Sequence, residues 1–83
     1  MKKVLVVDDE PSIVTLLTFN LEKEGYQVTS ATDGAIGLQM GLNEAFDFII
    51  LDVMLPSIDG IEIMKRLRQE KIDTPILILT AKD

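Results

Sequence analysis

The chain has 83 residues, 47% hydrophobic and 27% charged, which is room for one globular domain (1–83) and is not a disordered composition. Its net charge of −6 leaves no phosphate-neutralising patch, which argues against a nucleic-acid grip by this segment. The absence of cysteine and histidine excludes disulfides, thiolate metal sites and a histidine base, ligand or phosphocarrier of its own.

Lys3 to Val7 is a continuous aliphatic run, the pattern of a buried strand, and it stops at Asp8-Asp9-Glu10. Pro11 suits the first turn of a helix. Ile13, Leu16, Leu17 and Leu21 recur at helical spacing with Val14 beside them, and Gly25 is placed as a stop. Tyr26 to Ala31 alternates weakly and reads as a less buried strand. Asp33-Gly34 is a turn signal. Ala35 to Glu44 is expected to be helical, and its small residues Gly37 and Gly41 suit a close approach to the sheet.

Phe48 to Leu51 is again apolar and ends at Asp52. Pro56 and Asp59-Gly60 make a loop. Ile61 to Lys71 is expected as a helix with Ile61, Met64 and Leu67 on its apolar face and Lys65, Arg66, Arg68 and Glu70 towards water. Thr74-Pro75 breaks it, and Ile76 to Leu79 forms a last strand ending at Thr80. Apolar strands alternating with helices imply an α/β fold with a mostly parallel sheet covered on both faces and right-handed crossovers.

Ligands in such sheets bind beyond the carboxyl ends of the strands. Three strands end there in polar groups: Asp8-Asp9, Asp52 and Thr80. Carboxylates gathered on one edge repel, so a bound cation stabilises them, and oxygen ligands with retained waters are the usual Mg²⁺ environment. The first strand-to-helix turn has neither the G-x-G-x-x-G of a dinucleotide site nor the glycine-rich lysine loop of a nucleotide triphosphate site. Phosphoryl transfer needs little beyond positioning and charge neutralisation, and an ionised aspartate is already a nucleophile. Thr80, through its hydroxyl, and Ala81, through its N–H, are candidate donors to a phosphoryl oxygen.

Each part alone has a plainer reading. Paired aspartates after a strand form turns and helix caps, Asp52 can cap a strand, Thr80 suits a strand by propensity, and Asp59 is a turn former. The negative charge equally serves solubility. The weight lies in the set, each member at the same end of a strand.

V-L-V-V-D-D-E (4–10), I-I-L-D-V-M-L-P (49–56), D-G (59–60) and P-I-L-I-L-T-A (75–81) resemble the signature blocks of bacterial response-regulator receiver domains along the whole chain. F-N-L-E-K-E-G-Y (19–26) and L-T-A-K-D (79–83) look most like the OmpR/PhoB group, whose full proteins carry a winged-helix DNA-binding domain. The resemblance implies a flavodoxin-like (CheY-like) doubly wound sheet in the order 2-1-3-4. It implies a phosphoacceptor at Asp52, and Mg²⁺ held by Asp9 directly, by Asp8 often through water, by Asp52 and by the main-chain carbonyl of Met54. Thr80 matches the switch hydroxyl. The donor is a phosphohistidine on a sensor histidine kinase, in trans, and the protein acts as a phosphoacceptor, not a turnover enzyme.

The family pattern continues with a helix, a strand ending in a phosphoryl-pairing lysine, and a final helix, none of which this sequence contains. Lys82 follows Thr80 too closely to be that lysine. The last strand is therefore expected to be an open edge beside exposed apolar surface. Self-association or a complementing segment is expected to cover it, with weak Mg²⁺ binding and slow or lost phosphorylation by acetyl phosphate. No apolar run reaches the roughly 18 residues of a membrane span, no signal peptide precedes the first strand, and a cytoplasmic location fits. Two rivals remain. A haloacid-dehalogenase-type phosphatase needs D-x-D-x-T after its strand, whereas Val53-Met54 follow Asp52. A phosphorylation-incompetent receiver-like interaction module is separated by comparing Mg²⁺ titrations of the wild type and Asp52→Asn.

Overall fold

The computed structural model describes residues 1–79. Its elements run β1 (Lys3–Val7), α1 (Pro11–Lys23), β2 (Gln27–Ala31), α2 (Gly34–Asn43), β3 (Phe48–Asp52), α3 (Gly60–Gln69) and β4 (Ile76–Leu79). The strands form one parallel sheet in the order β2-β1-β3-β4. This is the expected order, and the side on which successive strands are added switches between β1 and β3.

The two central strands explain why their sequences are apolar without alternation. Odd and even positions face different layers, and both layers are dry. Leu5, Val7, Ile49 and Leu51 point into a core shared with Leu38 of α2 and with Ile63 and Leu67 of α3. Val4, Val6 and Ile50 point the other way, against Leu17 and Leu21 of α1. β2 lies on the edge and is less buried, as its weaker pattern implies.

α1 ends in paired reverse bonds, Tyr26 N–H to the Leu21 carbonyl and Gly25 N–H to the Glu22 carbonyl, with Gly25 left-handed at φ 94°. The helix wraps its sheet face incompletely. Leu16, expected on its apolar face, is 57% exposed, as is Phe19 at 64%. On the same side of the sheet the edge residue Leu77 is also exposed.

α2 begins one residue earlier than expected. Asp33 is its N-cap, accepting from the Ala35 and Ile36 N–H groups at 2.8 and 3.2 Å, so Asp33-Gly34 is a helix entry and not a free turn. The close approach expected of its glycines is present: a Cβ on Gly37 would lie 2.7 Å from both Val7 methyls.

α3 departs from expectation in two ways. It spans Gly60–Gln69, stopping short of Lys71, which instead takes the left-handed position (φ 61°) of a C-terminal reverse-bonded motif. Its buried residues are Gly60, Ile63 and Leu67, while Ile61 is exposed. An i, i+3, i+7 stripe anchored on Gly60 wins because the helix start is pressed against the end of β3.

Candidate functional site

The register of the sheet builds the site. Val7 is level with Leu51, so Asp8 and Asp52 leave adjacent strands at the same height. Each is one residue beyond a side chain that faces α2 and α3, so both turn towards the α1 side. Asp8 N–H still bonds the Ala31 carbonyl at 3.1 Å, which continues the β1–β2 ladder and fixes its backbone. Asp8 is only 3% exposed, and its Oδ1 accepts the Glu10 N–H at 2.9 Å. Asp9 follows on the exposed turn into α1.

Together Asp8, Asp9 and Asp52 offer carboxylate oxygens that all lie within 4.8 Å of one another. Burial pushes the Asp8 carboxyl above the ordinary range, the Glu10 N–H opposes this, and the charges of Asp52 and Asp9 push further up. The donor set is all oxygen and anionic. Such a set would hold a hard divalent cation such as Mg²⁺, which takes oxygen ligands and keeps several waters, and the ion would offset the repulsion among the three carboxylates.

The loop after β3 completes the surroundings. Asp52 Oδ1 accepts the Met54 N–H at 3.4 Å, and Met54 itself is 70% exposed. Val53 N–H bonds the Leu79 carbonyl at 3.1 Å, and Gly60 N–H bonds the Val53 carbonyl at 3.0 Å. A Cβ on Gly60 would stand 2.2 Å from the Asp52 carbonyl oxygen, so only glycine lets α3 start against the residue that carries the site. The acidic cluster opens into a groove of about 630 Å³ walled by Ile13, Leu17, Met54 and Leu79.

The structure thus brings Asp8, Asp9, Asp52 and Met54 to one rim. Thr80 and Ala81 lie outside the described residues. Sequence reasoning missed a second set of contacts behind the loop: Ser57 Oγ donates to Asp33 Oδ2 at 2.8 Å, and Gly34 N–H to the Pro56 carbonyl at 3.2 Å. Asp33 before a helix was a signal for a cap; nothing in a serine signals the left-handed backbone that Ser57 adopts (φ 73°). Among the described residues no helix is long and apolar enough to cross a membrane.

A family model for the response regulator receiver domain matches residues 4–83. The chain is 61% identical over 82 residues to the alkaline phosphatase synthesis transcriptional regulatory protein PhoP of Bacillus subtilis (strain 168), covering 99% of this chain and 34% of that protein. Among solved structures it is similar to the response regulator TrrA from Thermotoga maritima in complex with Mg²⁺–BeF. That match has 41% identity and a TM-score of 0.93, and covers 100% of this chain and 72% of that one. It is also similar to a chain of the complex of histidine kinase ThkA with TrrA, at 41% identity and a TM-score of 0.90, covering 100% and 72% respectively.

Proposed function

The chain belongs to the response regulator receiver domain family, and from that premise we propose that Asp52 is its phosphoacceptor, working beside Mg²⁺ held by Asp8, Asp9 and Asp52. The observation that carries this reading is the convergence of three carboxylates within 4.8 Å at the carboxyl ends of β1 and β3, where the strand order reverses.

An Asp52 carboxylate oxygen attacks phosphorus in line with the leaving nitrogen of a phosphohistidine. The new P–O bond forms as the P–N bond breaks, and the electron pair stays on the imidazole nitrogen, which takes a proton from solvent. The histidine comes in trans, because this sequence has none. TrrA, a similar protein, occurs in a complex with a histidine kinase, and a sensor kinase is the partner proposed here. When bound, Mg²⁺ offsets the repulsion between the carboxylates and the incoming phosphoryl oxygens.

Asp8 is positioned by its own burial and by the Glu10 N–H. Asp9, on the exposed turn, can follow the ion. The Met54 carbonyl is the proposed further protein ligand, and the Thr80 hydroxyl and Ala81 N–H the proposed donors to the phosphoryl group. PhoP is a transcriptional regulatory protein of which this chain matches 34%, so a DNA-binding output in the longer protein and a cytoplasmic setting belong to the same proposal.

The test is a calorimetric Mg²⁺ titration of wild type, Asp9→Asn and Asp52→Asn, followed by intact-mass measurement after acetyl phosphate treatment. Both substitutions are expected to weaken Mg²⁺ at least about tenfold, the loss of one charge-assisted ligand. Any phosphoryl group gained is expected to require Mg²⁺ and to vanish in Asp52→Asn. Equal Mg²⁺ affinity in all three proteins sinks the reading.

A further inference from the structure

The segment between β3 and α3, residues 53–59, carries Met54 beside the acidic cluster yet has no regular structure of its own. Its front is tied at Val53, by the bonds to the Leu79 carbonyl and from the Gly60 N–H, while Met54 itself has the long 3.4 Å contact from its N–H to Asp52. Its back is held from a different element. The Gly34 N–H bonds the Pro56 carbonyl at 3.2 Å, and Ser57 Oγ bonds Asp33 Oδ2 at 2.8 Å. Asp33 divides its two oxygens: Oδ1 caps α2, and Oδ2 takes the Ser57 hydroxyl.

Ser57 sits at φ 73°, a conformation that opposes a residue with a Cβ. A backbone of that kind persists when its surroundings over-determine it. The compensating contact here is the charge-assisted bond to Asp33.

We infer that the Asp33–Ser57 bond is a positioning clamp, by which α2 fixes the residue 53–59 loop and so holds the Met54 backbone in place for the ion at the Asp8, Asp9 and Asp52 cluster. This rests on the reading of that cluster as a Mg²⁺ site. Asp33 and Ser57 touch neither ion nor phosphoryl group; they act through the loop. The Ser57 hydroxyl, first, and the α2 N–H groups hold the Asp33 carboxyl below its ordinary range, so the clamp is in its charged, strong form at neutral pH.

Two substitutions separate positioning from plain stability. Ser57→Gly removes the hydroxyl but suits the left-handed backbone, so it deletes the clamp while relieving the local cost. Asp33→Ser keeps an N-cap for α2 but is too short to serve Ser57 as well. Amide exchange is followed in the metal-free protein at residues 54–58, together with Mg²⁺ titration and thermal unfolding. Both variants are expected to raise loop exchange about tenfold and weaken Mg²⁺ about three- to tenfold, with Ser57→Gly melting no lower than wild type. The double variant is expected to match the singles, since both remove one interaction.

Unchanged loop exchange in Ser57→Gly overturns the clamp, as does unchanged Mg²⁺ affinity in both single variants. An Asp52→Asn control in the same titration keeps the two readings apart. If wild type and Asp52→Asn bind Mg²⁺ alike, the proposed function fails, while metal-free exchange still decides whether the loop is clamped.

Discussion

Asp8→Asn is expected to stabilise the metal-free protein and to cost it Mg²⁺. Asp8 is 3% exposed and shares a rim with two further carboxylates, all within 4.8 Å. At that separation Coulomb's law gives about 1 kcal/mol per pair in a water-like medium and about 3.5 kcal/mol at an effective dielectric of about 20. Asp9 is exposed and screened, so the Asp8–Asp52 pair dominates and a net relief of about 2 kcal/mol is the reasonable figure. Asparagine keeps the shape and the oxygen that accepts the Glu10 N–H. For a chain of this size the melting temperature then rises by roughly 10 °C in EDTA. Added Mg²⁺ stabilises the wild type by RT ln(1 + [Mg²⁺]/Kd) and the weaker-binding variant much less, so the gap narrows or reverses.

The pH dependence gives a second check on the same substitution. The folded Asp8 carboxyl titrates above its ordinary value of 3.8. The folded state therefore binds more protons than the unfolded one in that range, and metal-free wild-type stability from this group rises as pH falls through the folded pKa. The asparagine of the variant has no such proton, so the difference between the proteins closes towards acid. Circular dichroism melts in EDTA and in MgCl₂ across pH measure all of this. A variant that melts below wild type in EDTA at neutral pH refutes the reasoning.

Gly60→Ala is expected to cost about 3 kcal/mol by urea unfolding, because its Cβ meets a backbone carbonyl 2.2 Å away and α3 must shift off the end of β3; a wild-type midpoint contradicts that packing. Leu77, Leu16 and Phe19 expose apolar surface on the α1 side (47%, 57% and 64%), and sedimentation velocity is expected to show association that grows with concentration and is reduced by Leu77→Lys. A monomer at every concentration in the unsubstituted chain counts against it.

The sheet was readable because its central strands are buried on both faces and so lack alternation, and because each run ends abruptly in carboxylates. The pairing of Val7 with Leu51 then decides the site almost alone. The face of α3 was not readable in the same way. Gly60, Ile61, Ile63 and Met64 offer two overlapping stripes, and the choice between them depends on Gly60 lying against the Asp52 backbone, a contact between segments and not a local pattern. Spacing places Leu16 on the apolar face of α1, but spacing cannot say how far a helix is wrapped by its neighbours, and Leu16 stands at the open side of the groove. The Ser57 contact was hidden for a third reason: its backbone conformation follows from a partner 24 residues away.

Among the described residues no cationic side chain pairs with the cluster, and this is a physical reason to expect a cation there. Among the described residues the ion pairs join Lys3 to Glu44 at 3.6 Å and Arg66 to Glu62 at 3.1 Å, and neither touches Asp8, Asp9 or Asp52. A buried carboxylate with no cationic partner usually protonates or relaxes apart. Here relaxation is resisted, since Asp8 and Asp52 continue the two most buried strands and their backbones are held by ladder bonds on either side. Protonation is favoured only part-way, because the Glu10 N–H supports the ionised form. What remains is an external ion with oxygen preference, drawn to two rigid carboxylates and one on a turn that can adjust. That division suits Mg²⁺, which demands tight geometry but keeps several of its waters. It also means that stability and binding pull the same residue in opposite directions, so a neutral side chain at position 8 gains one only by losing the other.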